Sequence, residues 1–314
     1  MKKKFFFIAV LSILILPDPA FSQNPGDSTQ KVIAHNLGPD INSGAIDFGA
    51  YEERDGLTLY FVSRRTSHAS HVDQFWFVNR PSIESPWSKP EYLKSLNNYD
   101  HPAGGICRDD SGKIYFSTIK ESSPEPNDMD IWEGSILGVA LKVNPLPRPI
   151  NTIKWESQPS VTSDGKDLYF VTNRENYRPK GGVDIFHAHK NPDNGWSMPV
   201  KLGEKINFGV FNGTPYISPD GAFLFYTSSG ESNSRRKIYM ASRTGPKDDD
   251  WSDPVLLPAE INSDDADDMF PMVARDGKTI YFSSNRSGGY GDFDIYKAQL
   301  PVDIQAKIAK SFLK

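Results

Sequence analysis

The sequence predicts an all-β fold, a β-propeller of five blades with four antiparallel strands each, from three recurring features. Aromatic pairs stand at Tyr60-Phe61, Tyr115-Phe116, Tyr169-Phe170, Phe225-Tyr226 and Tyr281-Phe282, at spacings of 55, 54, 56 and 56 residues. An aspartate precedes each pair by five residues (Asp55, Asp110, Asp164, Asp220, Asp276), with glycine next in four repeats and Ser111-Gly112 in the second. An Ile-Asn or Leu-Asn pair opens every repeat: Ile41-Asn42, Leu96-Asn97, Ile150-Asn151, Ile206-Asn207 and Ile261-Asn262. A unit of this length cannot bury its apolar face alone, so five of them close by stacking on one another.

Each strand has its own signal. Asp-Gly between two apolar runs marks a tight hairpin, because glycine accepts the positive φ that the turn demands. A short first strand precedes it, as in Pro215-Tyr-Ile-Ser218. The second strand is a continuous apolar run such as Leu168-Tyr-Phe-Val171, which means that both of its faces are covered. The third opens at Asp73, Asp130, Asp184, Lys237 and Asp294, and the fourth follows Trp-Ser-x-Pro at Trp87, Trp196 and Trp251. The second repeat lacks that tryptophan, and its fourth strand is expected near Val139 to Val143. The last repeat lacks the segment too, so a strand near residues 31–37 is expected to complete that blade and cover its open edge.

The ends carry different signals. Lys2, Lys3 and Lys4 precede a twelve-residue apolar run, Phe5 to Leu16, ended by Pro17. Such a run rises only ~18 Å as a helix, short of a ~30 Å hydrocarbon core. With Ala20 and Ser22 behind it, it reads as a cleavable signal peptide over residues 1–22, cut between Ser22 and Gln23. No cysteine lies near that site, so no lipid anchor is expected. The expected mature chain is a single domain over 23–300, with 301–314 a short amphipathic helix or a tail.

Composition excludes several functions. With 38% hydrophobic and 24% charged residues the chain is globular, and a formal charge of −5 argues against a nucleic-acid partner. The single cysteine excludes a disulfide framework, a thiolate zinc site and a redox pair. Cys107 shares a column with Val161, Ile217 and Val273, so it reads as a small buried hydrophobe.

At this point the motifs resemble a known family. Pro271 to Phe282, Gly288-Gly289-Tyr290, Asp294-Ile-Tyr296 and Trp251-Ser-Asp-Pro254 are similar to the WD40-like repeats of TolB-type periplasmic propellers. The version that carries an OmpA-like peptidoglycan-binding domain looks most similar. The resemblance spans about residues 31–300 and implies a periplasmic or secreted propeller in the cell envelope. The OmpA-like domain itself is not in this sequence.

No G-x-S-x-G elbow occurs, so a serine hydrolase is not expected. His187 and His189 point the same way from one strand into a variable column, and read as surface decoration. The acidic runs Asp248–Asp250 and Asp264–Asp268 lack calcium-loop spacing and read as solvated loops. No metal or other cofactor is expected. Thirteen residues before the aromatic pairs stand Asp47, Pro102, Glu156, Asn212 and Asp268, with His101 beside Pro102. Their place ahead of the innermost strand predicts a polar ring at one channel mouth, a candidate binding site. The competing reading is that they cap the turn into that strand through backbone N–H groups. A second pattern predicts structural charge pairs across the hairpin: Arg65–Asp73, Lys120–Asp130, Arg174–Asp184 and Arg286–Asp294, or aspartates bonded to their loop backbone.

The function expected from all this is a non-catalytic, monomeric binding or scaffold module for a protein or cell-envelope partner, with no membrane span. The alternative is a polysaccharide-active enzyme, a glycoside hydrolase or lyase, working at the channel mouth. A hydrolase of that kind would need paired carboxylates ~5–9.5 Å apart.

Overall fold

The computed structural model of the protein describes residues 32–65, 72–97, 102–119, 129–137, 140–174, 182–230 and 234–312. The expected leader lies outside the described residues, as do His101 and Lys120.

The described chain forms five four-stranded antiparallel sheets. Blade 1 is β2 (Asp47–Glu52), β3 (Thr58–Ser63), β4 (Gln74–Asn79) and β5 (Glu91–Tyr92). Blade 2 is β6 (Pro102–Arg108), β7 (Ile114–Ile119), β8 (Met129–Leu137) and β9 (Ala140–Pro145). Blade 3 is β10 (Glu156–Val161), β11 (Asp167–Thr172), β12 (Asp184–His189) and β13 (Val200–Lys201). Blade 4 is β14 (Asn212–Ile217), β15 (Phe223–Ser228), β16 (Lys237–Ser242) and β17 (Val255–Leu256). Blade 5 is β18 (Asp268–Val273), β19 (Thr279–Ser284) and β20 (Asp294–Gln299), and its fourth strand is β1 (His35–Asn36), with His35 opposite Lys297. Helix α1 (Val302–Phe312) follows. Among the described residues, no helix is long and apolar enough to cross a membrane.

The innermost strands β2, β6, β10, β14 and β18 touch their neighbours in turn, and β18 meets β2 to complete the ring. Between blades the apolar faces interlock. Phe225 and Met240 of blade 4 pack with Val273, Phe282 and Tyr296 of blade 5, and Ile304 and Ile308 of α1 join the same cluster. Every aromatic-pair residue except Tyr60 is buried, as expected for strands covered on both faces.

The repeated asparagine has a specific task. Its side-chain amide imitates a peptide unit, accepting from the N–H and donating to the C=O of one third-strand residue. Asn97 does this to Phe75, Asn151 to Ile131, Asn207 to Ile185 and Asn262 to Ile238. Asn42 holds Ile295 of blade 5 in the same way, beside a Leu37 N–H bond to the Ile295 carbonyl at 3.0 Å. Each such side chain satisfies one backbone N–H and gives the same residue's carbonyl a second donor, beside the N–H of Leu37, Leu93, Leu146, Leu202 or Leu257.

Candidate functional site

The innermost strands line a central channel. At ~3.3 Å per residue, their first and last residues lie ~16 Å apart. The two ends therefore make separate sites.

At the starting end, Asp47, Glu156, Asn212 and Asp268 are the first residues of β2, β10, β14 and β18, and all four are fully buried. Asp47 accepts the Ser43 N–H at 2.6 Å and pairs with Arg65 at 2.8 Å. Glu156 accepts the Thr152 N–H at 2.7 Å and the Thr172 hydroxyl at 2.7 Å, and faces Arg174 at 3.3 Å. Asp268 pairs with Arg286 at 2.7 Å. Asn212 accepts the Gly209 N–H and the Ser228 hydroxyl, both at 2.9 Å. Burial pushes the Glu156 and Asp268 carboxyls above their ordinary values, against the pull of those donors.

This geometry revises two expectations. The ring is not an open polar mouth; its described members are buried turn caps and ion-pair partners. Two of them also reach the preceding blade, Asp268 to Lys237 at 3.6 Å and Asn212 to Asp184 at 3.0 Å. The cations pair differently too. Arg65 reaches Asp47 and not Asp73, and Arg286 reaches Asp268 and not Asp294. The cause is register. Asp47, Glu156 and Asp268 lie opposite Ser63, Thr172 and Ser284, two residues before the arginines. Arg65 and Arg286 each fold back onto that serine hydroxyl, which aims the guanidinium at the buried acid. The third-strand aspartates find other donors. Asp73 takes Arg64 at 2.5 Å, Asp184 takes Lys201 at 2.6 Å, and Asp294 accepts the Tyr290 and Gly291 N–H groups. Asp294 thus follows the loop-backbone alternative.

Each innermost strand bulges, and the bulge carries a positive φ at Gly49, Gln158, Thr214 and Phe270. Three of these are not glycine, a conformation that costs ~1–3 kcal/mol per residue. Their N–H groups form a chain of bonds between blades: Gln158 to Ser117 Oγ, Thr214 to Gln158 Oε1, Phe270 to Thr214 Oγ1 and Gly49 to Ser283 Oγ. The cavity here is about 40 Å³, and no carboxylate lines it among the described residues. Nothing in the hydrophobic pattern signals these strained positions; only Gly49 hints at one.

At the finishing end the hairpin turns meet. The main chains of blades 2, 3 and 4 are tied by Asp110 N–H to Ser163 C=O at 2.8 Å and Ser163 N–H to Pro219 C=O at 2.9 Å. Arg54, Arg108 and Arg275, from blades 1, 2 and 5, line a cavity of about 90 Å³ together with Glu52, Tyr51 and Tyr216. Burial raises the Glu52 carboxyl and both tyrosine hydroxyls.

His187 also departs from expectation. It is buried, stacked on Tyr169 at 4.6 Å, and sits between Asp167 at 2.8 Å and Asp248 at 2.5 Å. Asp249 accepts the Gly203 N–H at 2.6 Å, so the run read as solvated loop clasps blade 4 onto blade 3. No group of three or more His, Cys, Asp or Glu side chains among the described residues converges as a metal site would. Cys107 is buried in the core, and burial pushes its thiol up.

No family model and no curated protein matches the chain. Solved structures do share its fold. TolB from Acinetobacter baumannii is 14% identical with a TM-score of 0.46, over 82% of this chain and 54% of that one. The chain thus spans about half the length of that protein. An α-L-arabinofuranosidase from Podospora anserina in complex with cellotriose is 12% identical with a TM-score of 0.53, over 87% of this chain and 97% of that one. A GH43 endo-arabinanase from Bacillus licheniformis is 15% identical with a TM-score of 0.52, over 82% of this chain and 94% of that one. At such identities the likeness establishes the fold alone: the chain is a five-bladed β-propeller.

Proposed function

We propose that this chain is an exported, non-catalytic propeller of the TolB type that docks a protein or cell-envelope partner on one face. One observation carries the reading. The carboxylates placed where a channel-mouth enzyme would need them are fully buried and each is engaged by an arginine. A general acid or nucleophile has to come within hydrogen-bond reach of its substrate. Export is supported by the Lys2–Lys4 cluster, the apolar run and the Ala20-x-Ser22 site. In this reading the protein works as a monomer without a cofactor, and its loops supply the recognition surface.

The test has two arms. Purified protein is assayed on a panel of arabinans, xylans, mannans and peptides, and partners are sought by co-purification from the periplasm with mass spectrometry. No turnover, with a specific envelope partner retained, is the expected result. Turnover abolished by Glu156→Ala or Asp268→Ala overturns it in favour of the polysaccharide-active alternative.

A further inference from the structure

We propose that the finishing end of the channel is a binding site for a compact oxyanion, a phosphate or carboxylate group, held by Arg54, Arg108 and Arg275. The site lies at the opposite end from the sealed carboxylates, so it stands whether or not the propeller is catalytic.

Arg54, Arg108 and Arg275, from blades adjacent in the ring (1, 2 and 5), line one cavity of about 90 Å³, room for several water-sized groups. Like charges do not gather in one cavity without a counter-charge. The wall offers little of one. Its one carboxylate, Glu52, is already paired with Arg80 at 2.9 Å, and also accepts the Tyr281 hydroxyl and the Arg275 N–H, both at 3.3 Å. Arg54 and Arg108 are each held by one nitrogen, Nη1, to Asp110 and Glu53. Those carboxylates, with Asp55 and Asp109, line an adjoining cavity of about 230 Å³ that both arginines also face. The remaining N–H groups of the two arginines are left to donate. Arg275 is the cation left without a carboxylate partner among the described residues; its side chain donates to the Asp55 carbonyl at 2.8 Å.

The opposite wall adds neutral donors. Ser160 Oγ accepts the Ile217 N–H at 2.9 Å, which leaves its own proton to donate. Ser163 ties neighbouring turns through its main chain, and its hydroxyl makes no hydrogen bond among the described residues. Guanidinium forks on one side and hydroxyls on the other match an acceptor-only group with several oxygens. A cation or a neutral apolar ligand would leave those donors unsatisfied.

Isothermal titration calorimetry tests the site, with inorganic phosphate and sodium acetate titrated separately at ionic strength fixed by sodium chloride. Saturable binding of either anion is expected, and phosphate against acetate separates a tetrahedral from a planar preference. Arg275→Gln should weaken binding about tenfold, the loss of one charge-assisted bond. The unliganded unfolding temperature of that variant should change little, because Arg275 is exposed, makes no ion pair among the described residues, and loses only a surface bond to the Asp55 carbonyl. Ser163→Ala should weaken binding less. No saturable heat with either anion, or equal affinity in wild type and Arg275→Gln, overturns the proposal. Since the readout is binding, it is independent of any assay for turnover.

Discussion

The two ends of the channel use the same kinds of side chain to opposite effect. At the starting end, Asp47, Glu156 and Asp268 are 0% exposed, and the arginines facing them are only 13–15% exposed. At the finishing end, Arg54 and Arg108 keep 42% and 33% exposure while paired to Asp110 and Glu53. The difference comes from where the charges sit in the repeat. Three blades keep the starting-end acid and arginine in the same two columns, where each acid is buried against its own cation and little is left for a ligand. The charges at the finishing end break the repeat: the column of Arg54 and Arg275 holds Asp109, Ser163 and Pro219 in the other blades. Regular columns build the ring, and irregular ones make a face distinctive.

The largest expected effect comes from breaking a sealed pair. Arg65→Met strands the fully buried Asp47, and should cost about 3–5 kcal/mol in urea unfolding. A cost below about 1 kcal/mol would mean that the starting end is as solvent-adapted as the finishing end.

Next is the frame that both ends depend on. Deleting residues 23–40 removes β1 and the Leu37 bond to Ile295. The unfolding temperature should fall by about 5–10 °C, and aggregation should rise as the edge of β20 is uncovered. An unchanged melting curve would mean that β1 contributes nothing to holding the ring.

A smaller effect appears in pH. Burial raises the Glu156 carboxyl, so the folded chain holds that proton more tightly than the unfolded chain. Stability from this group is full below the ordinary glutamate value of about 4.3 and declines as pH rises through the folded value. Glu156→Gln lacks the decline. The advantage of wild type over that variant should therefore shrink across this window and level off above it; an advantage that grows with pH contradicts burial as the dominant cause.

The smallest effect belongs to the finishing end. Arg54→Ala, at a half-exposed pair, should change stability by no more than about 0.5 kcal/mol. A loss comparable to that of Arg65→Met would erase the contrast between the ends.

Much of this was legible in the sequence because the repeats compare the protein with itself. The aromatic pairs, Asp-Gly turns and Ile-Asn pairs returned blade number, strand order and even the late strand β9 of blade 2. The expected C-terminal helix or tail is the helix α1 (Val302–Phe312). The columns of Asp47 and Arg65 were also found, but as two separate features. Sequence spacing places Arg65 nearer to Asp73 than to Asp47, whereas antiparallel pairing brings Asp47 opposite Ser63 and the fold-back of Arg65 does the rest. His187 was misread for a related reason. Its partner Asp248 lies 61 residues away on the next blade, and no column comparison reports a contact between blades. The strained Gln158, Thr214 and Phe270 were invisible, since a bulge is a property of the backbone and their side chains share no chemistry.

Blade 4 supplies the most direct measurement, because it replaces the pair with Asn212 and Gly230 together. Asp268→Asn, Arg286→Gly and the double variant form a thermodynamic cycle that grafts the blade 4 solution onto blade 5. If the starting-end acids are structural ion-pair partners, both single variants lose stability and the double variant recovers part of the loss. The coupling expected for a buried contact is about 1–3 kcal/mol. Additive losses with no coupling, accompanied by glycan turnover in the wild type that Asp268→Asn abolishes, would contradict the account and return Asp268 to the role of a reactive acid.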